Sequence, residues 1–227
     1  RAAENMVSSG LDELFISLDG ATPETYERIR VGAHLDHVIE NTKNLLRTKE
    51  KAGSSTPEVL IIMTAMRENF TEIPRMVELA HSIGVKSVAV QGLQVFGEGM
   101  ARRDQLVSEM KPRDVLRIIH QSKRLGKSLG VNIEFARMVP KPQQCFWPWV
   151  ACFITYDGQV APCCMINQRI DREEVLESLG FGNVLKEPFK EIWNSEKAML
   201  FRLKLATGDL PLICRGCPVL DGTVISF

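Results

Sequence analysis

Leu14-Phe15-Ile16-Ser17-Leu18-Asp19-Gly20-Ala21-Thr22-Pro23 decides the fold class. Its first five residues are a short, mostly apolar run of strand length, and Asp19-Gly20 is the turn that ends it. Thr22 supplies an N-cap hydroxyl, and Pro23 takes the first helical position, where its missing N–H is no loss. A short helix through Arg30 is therefore expected. Strand, turn and capped helix in one stretch make the start of a βα unit.

The same alternation runs outward in both directions. Residues Arg1 to Val7 read as the tail of a helix reaching Gly10. Leu35, Val38, Ile39, Leu45 and Leu46 mark one face of a longer helix that Gly53 closes. Val59 to Met63 is a buried strand. Ile73, Met76, Val77, Ala80 and Ile83 form the next helical stripe up to Gly84, and Val85 to Leu93 is a further strand. Strands separated by amphipathic helices need crossover connections, so the sheet is parallel, in a doubly wound or a barrel arrangement. Beyond residue 96 the pattern loosens. Gly97 to Lys111 reads as a loop, Pro112 to Leu129 as a helix and Val131 to Phe135 as strand-like. Pro140, Pro142 and Pro148 break regular structure and mark a boundary between domains at 1–139 and 140–227. In the second domain Asp157-Gly158 is a two-residue hairpin signal, and Pro188 to Ala206 is expected as one helix.

Bulk properties exclude several classes. Lys plus Arg and Asp plus Glu are equal at 28 each, which gives no footing for nucleic acid or an anionic membrane. No apolar run approaches the ~20 residues of a membrane-spanning helix, and no signal peptide opens the chain. Six cysteines in a chain of 227 residues point to thiol or metal chemistry in a reducing cytoplasm rather than to disulfides. The first residue is Arg1, inside what reads as a helix, so a fragment of a longer protein is expected.

Four of the cysteines carry the chemistry. Cys145, Cys163, Cys214 and Cys217 are separated by 17, 50 and 2 residues. A Cys-x2-Cys pair presents two thiolates from one turn, and the hairpin brings Cys163 back toward Cys145. Four thiolates select zinc or an iron–sulfur cluster, and the spacing alone leaves both open. Cys152 and Cys164 are expected as small core residues. His34, His37, His81 and His120 lack metal-like spacing, and Trp147 and Trp149 are expected as wedges between the domains.

The segments Cys145 to Trp149, Tyr156 to Cys164, Leu179 to Val184, Glu191 to Asn194 and Cys214 to Cys217 resemble the SPASM/twitch extension of radical S-adenosylmethionine enzymes. Upstream, Gly10 to Ala21 and Tyr26 to Arg30 resemble the fourth strand of that family's partial barrel and the turn after it. Glu68 to Pro74 is similar to the segment after its fifth strand, and Gly84 to Val88 to its sixth.

The resemblance implies an α/β fold: the last part of a partial (β/α)6 barrel, strands four to six, followed by a small α+β domain. It implies an auxiliary [4Fe–4S] cluster on Cys145, Cys163, Cys214 and Cys217. A second auxiliary cluster is not expected, because Thr223 and Phe227 stand where further cysteines belong. It also implies that Ser17 contacts the ribose or carboxylate of S-adenosylmethionine, that Arg30 partners the carboxylate, and that Asn69 and Gln91 line the cofactor or substrate site. In the intact enzyme a 5′-deoxyadenosyl radical would take hydrogen from a peptide or small-molecule substrate, with electrons from a reductant such as flavodoxin or ferredoxin. The family's Cys-x3-Cys-x2-Cys motif is absent from these residues, so the chain alone is expected to be inactive. The alternatives are a non-catalytic iron–sulfur electron-transfer or binding module and a zinc-stapled interaction domain.

Overall fold

The computed structural model describes residues 1–93, 105–136, 145–168, 172–215, 217, 219 and 220. Most of the expected loop after residue 96, and the boundary at Pro140 and Pro142, lie outside these. The described residues form two compact units, one of 1–93 with 105–136 and one of 145–220.

In the first unit, α1 (Ala2–Ser8) precedes β1 (Glu13–Ser17), and α2 (Pro23–Ile29) and α3 (Leu35–Lys51) lead to β2 (Glu58–Ala65). α4 (Ile73–Ile83) connects to β3 (Ser87–Gly92), and α5 (Pro112–Leu129) to β4 (Asn132–Phe135). The sheet order is β1-β2-β3-β4 and every pairing is parallel, with Phe15 opposite Leu60, Leu60 opposite Ser87, and Ser87 opposite Asn132. The helices between the strands make this topology possible, since a parallel return needs a crossover. The strand-like run at 131–135 is thus a fourth parallel strand, one more than the three the resemblance assigned.

Alternation along β2 decides where the core lies. Val59, Ile61, Met63 and Ala65 are buried against Met76, Val77 and Ala80 of α4, while Leu60, Ile62 and Thr64 on the other face are only partly covered. Phe70, in a 3₁₀ turn before α4, is fully buried in the same cluster. The apolar stripe read from Ile73 to Ile83 is the buried face of α4. Thr22 caps α2 as expected, its hydroxyl accepting from the Thr25 N–H at 3.4 Å.

The second unit holds a three-stranded antiparallel sheet of β5 (Phe153–Ile154), β6 (Gln159–Ala161) and β7 (Gly182–Asn183). Its helices are α6 (Trp147–Val150), α7 (Arg172–Leu179), α8 (Phe189–Trp193) and α9 (Glu196–Thr207). The turn after β5 differs from the expected two-residue form. Thr155 N–H bonds to the Gln159 carbonyl, leaving Tyr156, Asp157 and Gly158 as a three-residue loop. Gly158 sits at φ 84°, the left-handed position such a loop needs. The loop is stapled by Thr155, which donates its hydroxyl to Asp157, and by Asn183, whose side chain donates to the Asp157 carbonyl at 2.9 Å.

Three further expectations are corrected. The helix expected from Pro188 to Ala206 is two helices, because Ser195 turns extended and caps α9 through the Ala198 N–H. Pro148 does not break structure; it occupies the first turn of α6, where no donor is lost. Trp149 is 41% exposed, so it is not a core wedge. Val160, Phe181, Ile192, Ala198 and Phe201 form this unit's main core. Arg202 of α9 ties it together: it donates to the carbonyls of Pro148 and Trp193, both at 2.8 Å, and lies 4.2 Å over the Trp193 ring.

Candidate metal centre and strand-end network

The four spaced cysteines come from short, tightly turned segments. Cys145 lies just before α6, Cys163 follows β6 by two residues, and Cys214 ends a 3₁₀ turn (Leu212–Cys214). The Cys217 N–H then bonds back to the Cys214 carbonyl at 3.2 Å, so the Cys-x2-Cys pair closes on itself. None of the four is in a disulfide, and all are partly buried.

Electrostatics joins them into one group. Burial first, then repulsion from Cys163, Cys217 and Cys145, pushes the Cys214 thiol from 9.0 to about 12. Cys163 is also pushed up to about 12, chiefly by burial; the Met165 N–H opposes the rise, Cys217 adds to it, the Ile166 N–H opposes it, and Cys164 adds to it. Cys145 is raised by burial, held back by the Trp147 N–H, and raised further by Cys217 and Cys164. Each of the other three therefore feels Cys217. Backbone N–H groups reach two of the sulfurs, which is the usual way a protein steadies thiolate ligands.

Among the described residues no group of three or more Cys, His, Asp or Glu closes into a ready ion-holding cage. The donor set nonetheless fits a sulfur-ligated metal, zinc or an iron–sulfur cluster alike: four partly buried thiols lie within electrostatic reach of one another, and amide donors meet two of them. A cationic core would reverse the penalty on their thiolates, because metal binding requires the deprotonated ligand and releases its proton.

Cys152 packs against the core cluster of Val160 and Ile192, close to the expected role. Its thiol is raised by burial and lowered by the nearby Arg202. Cys164 differs from expectation. It is only partly buried and within electrostatic reach of Cys145 and Cys163, so it borders the group rather than the core.

These shifts set a pH dependence. In metal-free protein near pH 8.5, Cys163 and Cys214 hold on the order of 10³-fold less thiolate than an ordinary cysteine. Alkylation by iodoacetamide, followed site by site by mass spectrometry, is expected to be correspondingly slow there. Because their folded pKa values lie above 9.0, at about 12, the folded state holds the protons longer. That contribution to stability is complete below pH 9 and is lost as pH climbs toward 12.

A second constellation stands at the C-terminal ends of the parallel strands, the edge where α/β sheets and barrels bind ligands. Ser17 is the last residue of β1 and is exposed. Asp19, 5% exposed, accepts the Thr64 N–H at 2.7 Å on Oδ1 and Arg30 at 2.7 and 2.8 Å on Oδ2. Asn69 is fully buried, and its amide is spent on the backbone: Oδ1 accepts from Met66, and Nδ2 donates to the carbonyls of Asp19 and Thr64. Where the resemblance put Asn69 at a cofactor or substrate, the structure places it as the pin between the two loops. Gln91, in β3, is exposed. Sequence reasoning missed Glu72. Its carboxylate takes the Ala21 N–H at 2.9 Å and the Thr25 hydroxyl at 2.5 Å, clamping the turn after β1. No spacing pattern marks Glu72, since its partners are about 50 residues upstream.

Comparison with known proteins follows this division. The SPASM family, described as an iron-sulfur cluster-binding domain, matches residues 145–218. The chain is 27% identical over 222 residues to the PqqA peptide cyclase of Gluconobacter oxydans, covering 94% of this chain and 56% of that protein. It is 22% identical over 233 residues to the tungsten-containing aldehyde ferredoxin oxidoreductase cofactor-modifying protein of Pyrococcus furiosus, covering 96% and 62%. The chain thus spans little more than half the length of the curated relatives it matches. Among solved structures, Streptococcus suis SuiB superposes with a TM-score of 0.58 at 12% identity, over 86% of this chain and 46% of that one. SuiB bound to S-adenosylmethionine gives 0.56 at 14%, over 97% and 50%. At such identities these two establish a shared fold, an α/β partial barrel with a small appended domain. Among the described residues no helix is long and apolar enough to cross a membrane. Residues 145–218 thus match the SPASM domain, and with the parallel sheet before them the chain is similar to radical S-adenosylmethionine proteins that carry such a domain.

Proposed function

We propose that the chain is the C-terminal portion of a radical S-adenosylmethionine enzyme that modifies a peptide substrate and carries one auxiliary [4Fe–4S] cluster. The reading gives residues 1–139 to the barrel and 140–227 to the auxiliary domain. The observation that carries it is the electrostatic convergence of Cys145, Cys163, Cys214 and Cys217 inside the SPASM segment. A peptide is favoured over a small molecule because relatives of similar reach are named for peptide cyclisation.

When bound, S-adenosylmethionine supplies the radical that takes a hydrogen from substrate. The chain's own residues do the rest. The four cysteines hold the auxiliary cluster, and the amides of Trp147, Met165 and Ile166 steady its sulfurs. Four cysteine ligands leave no open iron, so an electron-accepting role fits better than substrate binding. Ser17 and Arg30 face the S-adenosylmethionine side, Gln91 is available to the substrate, and Asn69 and Glu72 fix the loops. The three cysteines that activate S-adenosylmethionine belong, on this reading, to sequence outside these residues. The electron donor is a flavodoxin or ferredoxin, and the compartment is the reducing cytoplasm.

Anaerobic reconstitution of the native full-length protein tests the whole reading. Bound iron and sulfide, absorbance near ~400 nm, and reductive cleavage of S-adenosylmethionine to 5′-deoxyadenosine are expected. Zinc without iron would instead establish a stapled interaction domain. A loaded protein that never cleaves S-adenosylmethionine would be an electron-transfer module.

A further inference from the structure

Arg30 has one side of its guanidinium committed and the other open. Nε and Nη2 both donate to Asp19 Oδ2, at 2.8 and 2.7 Å. The guanidinium fork is rigid and planar, so its Nη1 side then points away from Asp19. Among the described residues no hydrogen bond or ion pair reaches that side. The Arg30 side chain is 38% exposed and that of Asp19 is buried, so the pair has one fixed and one accessible member.

Asp19 cannot swing to follow Arg30. Its second oxygen is pinned by the Thr64 N–H of β2, and its carbonyl by Asn69. The turn that carries it is held by Glu72 through the Ala21 N–H and the Thr25 hydroxyl. A buried carboxylate this immobile sets the rotation of the guanidinium bound to it. The open side is a two-donor fork, the geometry that receives a carboxylate bidentately. Its anchor, Asp19, follows by two residues the exposed Ser17 that ends β1.

We propose that Asp19 is a positioning residue: by holding one side of Arg30 it aims the other as a receptor for the carboxylate of the ligand at these strand ends. This rests on S-adenosylmethionine being that ligand. The competing role for the pair is a brace between β1 and β2, with no ligand involved.

The two roles separate when the ligand itself is altered. In the cluster-loaded full-length protein, dissociation constants are measured for S-adenosylmethionine and for decarboxylated S-adenosylmethionine, which keeps the sulfonium and the amine. Asp19→Asn keeps an oxygen for the Thr64 N–H but removes the charge that orients Arg30. It is expected to weaken S-adenosylmethionine about tenfold and to leave the decarboxylated ligand unchanged. Arg30→Lys keeps the charge without the fork and gives the same selective loss. The double variant loses no more than either single one, because the two side chains act as a unit. Should Asp19→Asn fold poorly, Arg30→Lys carries the comparison alone. Equal weakening of both ligands assigns a brace and overturns the proposal, as does no weakening of either. Wild-type protein that binds neither ligand overturns the S-adenosylmethionine reading, and the positioning role with it.

Discussion

Cys163→Ala is expected to abolish cluster loading, leaving iron and sulfide near background after anaerobic reconstitution of the 227-residue chain. Cys163 is the sulfur with the most built around it: burial lifts its thiol to about 12, and the amides of Met165 and Ile166 are aimed at it. Alanine removes the ligand and leaves those amides without an acceptor. A cubane held by three cysteines is open to solvent at one iron, and loss of even outer partners typically costs about 10–100-fold in metal affinity. Cys163→Ser is expected to load partially, since oxygen is a harder and weaker donor to iron. Cys152→Ala serves as the control, because its thiol packs against the Val160 and Ile192 core. Cys164→Ala is the more searching control: full loading identifies Cys164 as a bystander at the edge of the group. Iron content in Cys163→Ala equal to that of the parent chain would remove Cys163 from the ligand set.

The second large effect is expected from the smallest change, Gly20→Ala. A Cβ on Gly20 would stand 2.5 Å from the Tyr26 nitrogen, 2.8 Å from its Cα and 3.0 Å from the Thr25 carbonyl carbon. All three are backbone atoms in the first turns of α2, so no side chain can rotate away to make room. The turn after β1 must instead part from α2, straining the Ala21 and Thr25 bonds to Glu72. Overpacking of this kind costs about 1–3 kcal/mol, a fall on the order of 5 °C in melting temperature for a chain of this size. Scanning calorimetry or circular dichroism checks it, and an unchanged midpoint would mean that turn and helix are not held so closely.

The frame of the first unit was legible because its strands are almost wholly apolar and its helices carry clean stripes. Ile61, Met63 and Met76 announce their burial by period alone. The cysteine quartet stood out for a different reason, since four thiols at such spacing have few uses besides metal; that they hold one is the proposal above. What stayed hidden depends on distance along the chain. Asp19 reads locally as half of a turn; only in three dimensions does its carboxylate meet Thr64 and Arg30. Glu72 looks like an ordinary polar residue until its partners, about 50 residues upstream, are brought to it, and so does Asn69 until the Asp19 carbonyl arrives. Local competition hid other features. Asp157-Gly158 favours a tight hairpin, but the Thr155 hydroxyl and Asn183 stabilise a longer loop. The run from Pro188 to Ala206 is apolar enough for one helix, yet Ser195 offers a cap that divides it. α7 was missed because Arg172 to Leu179 carries only a weak amphipathic pattern, with Leu176 as its one buried residue.

Among the described residues the strand order β1-β2-β3-β4 leaves β1 and β4 with one strand neighbour each. The outermost backbones of such a sheet leave a row of amides and carbonyls unclaimed on one flank, and they accept any extended segment that arrives. On the β1 flank, Phe15 at 53% exposure and Leu11 at 38% add adhesive apolar surface. A strand edge of this kind is a surface to which a further extended segment can be added.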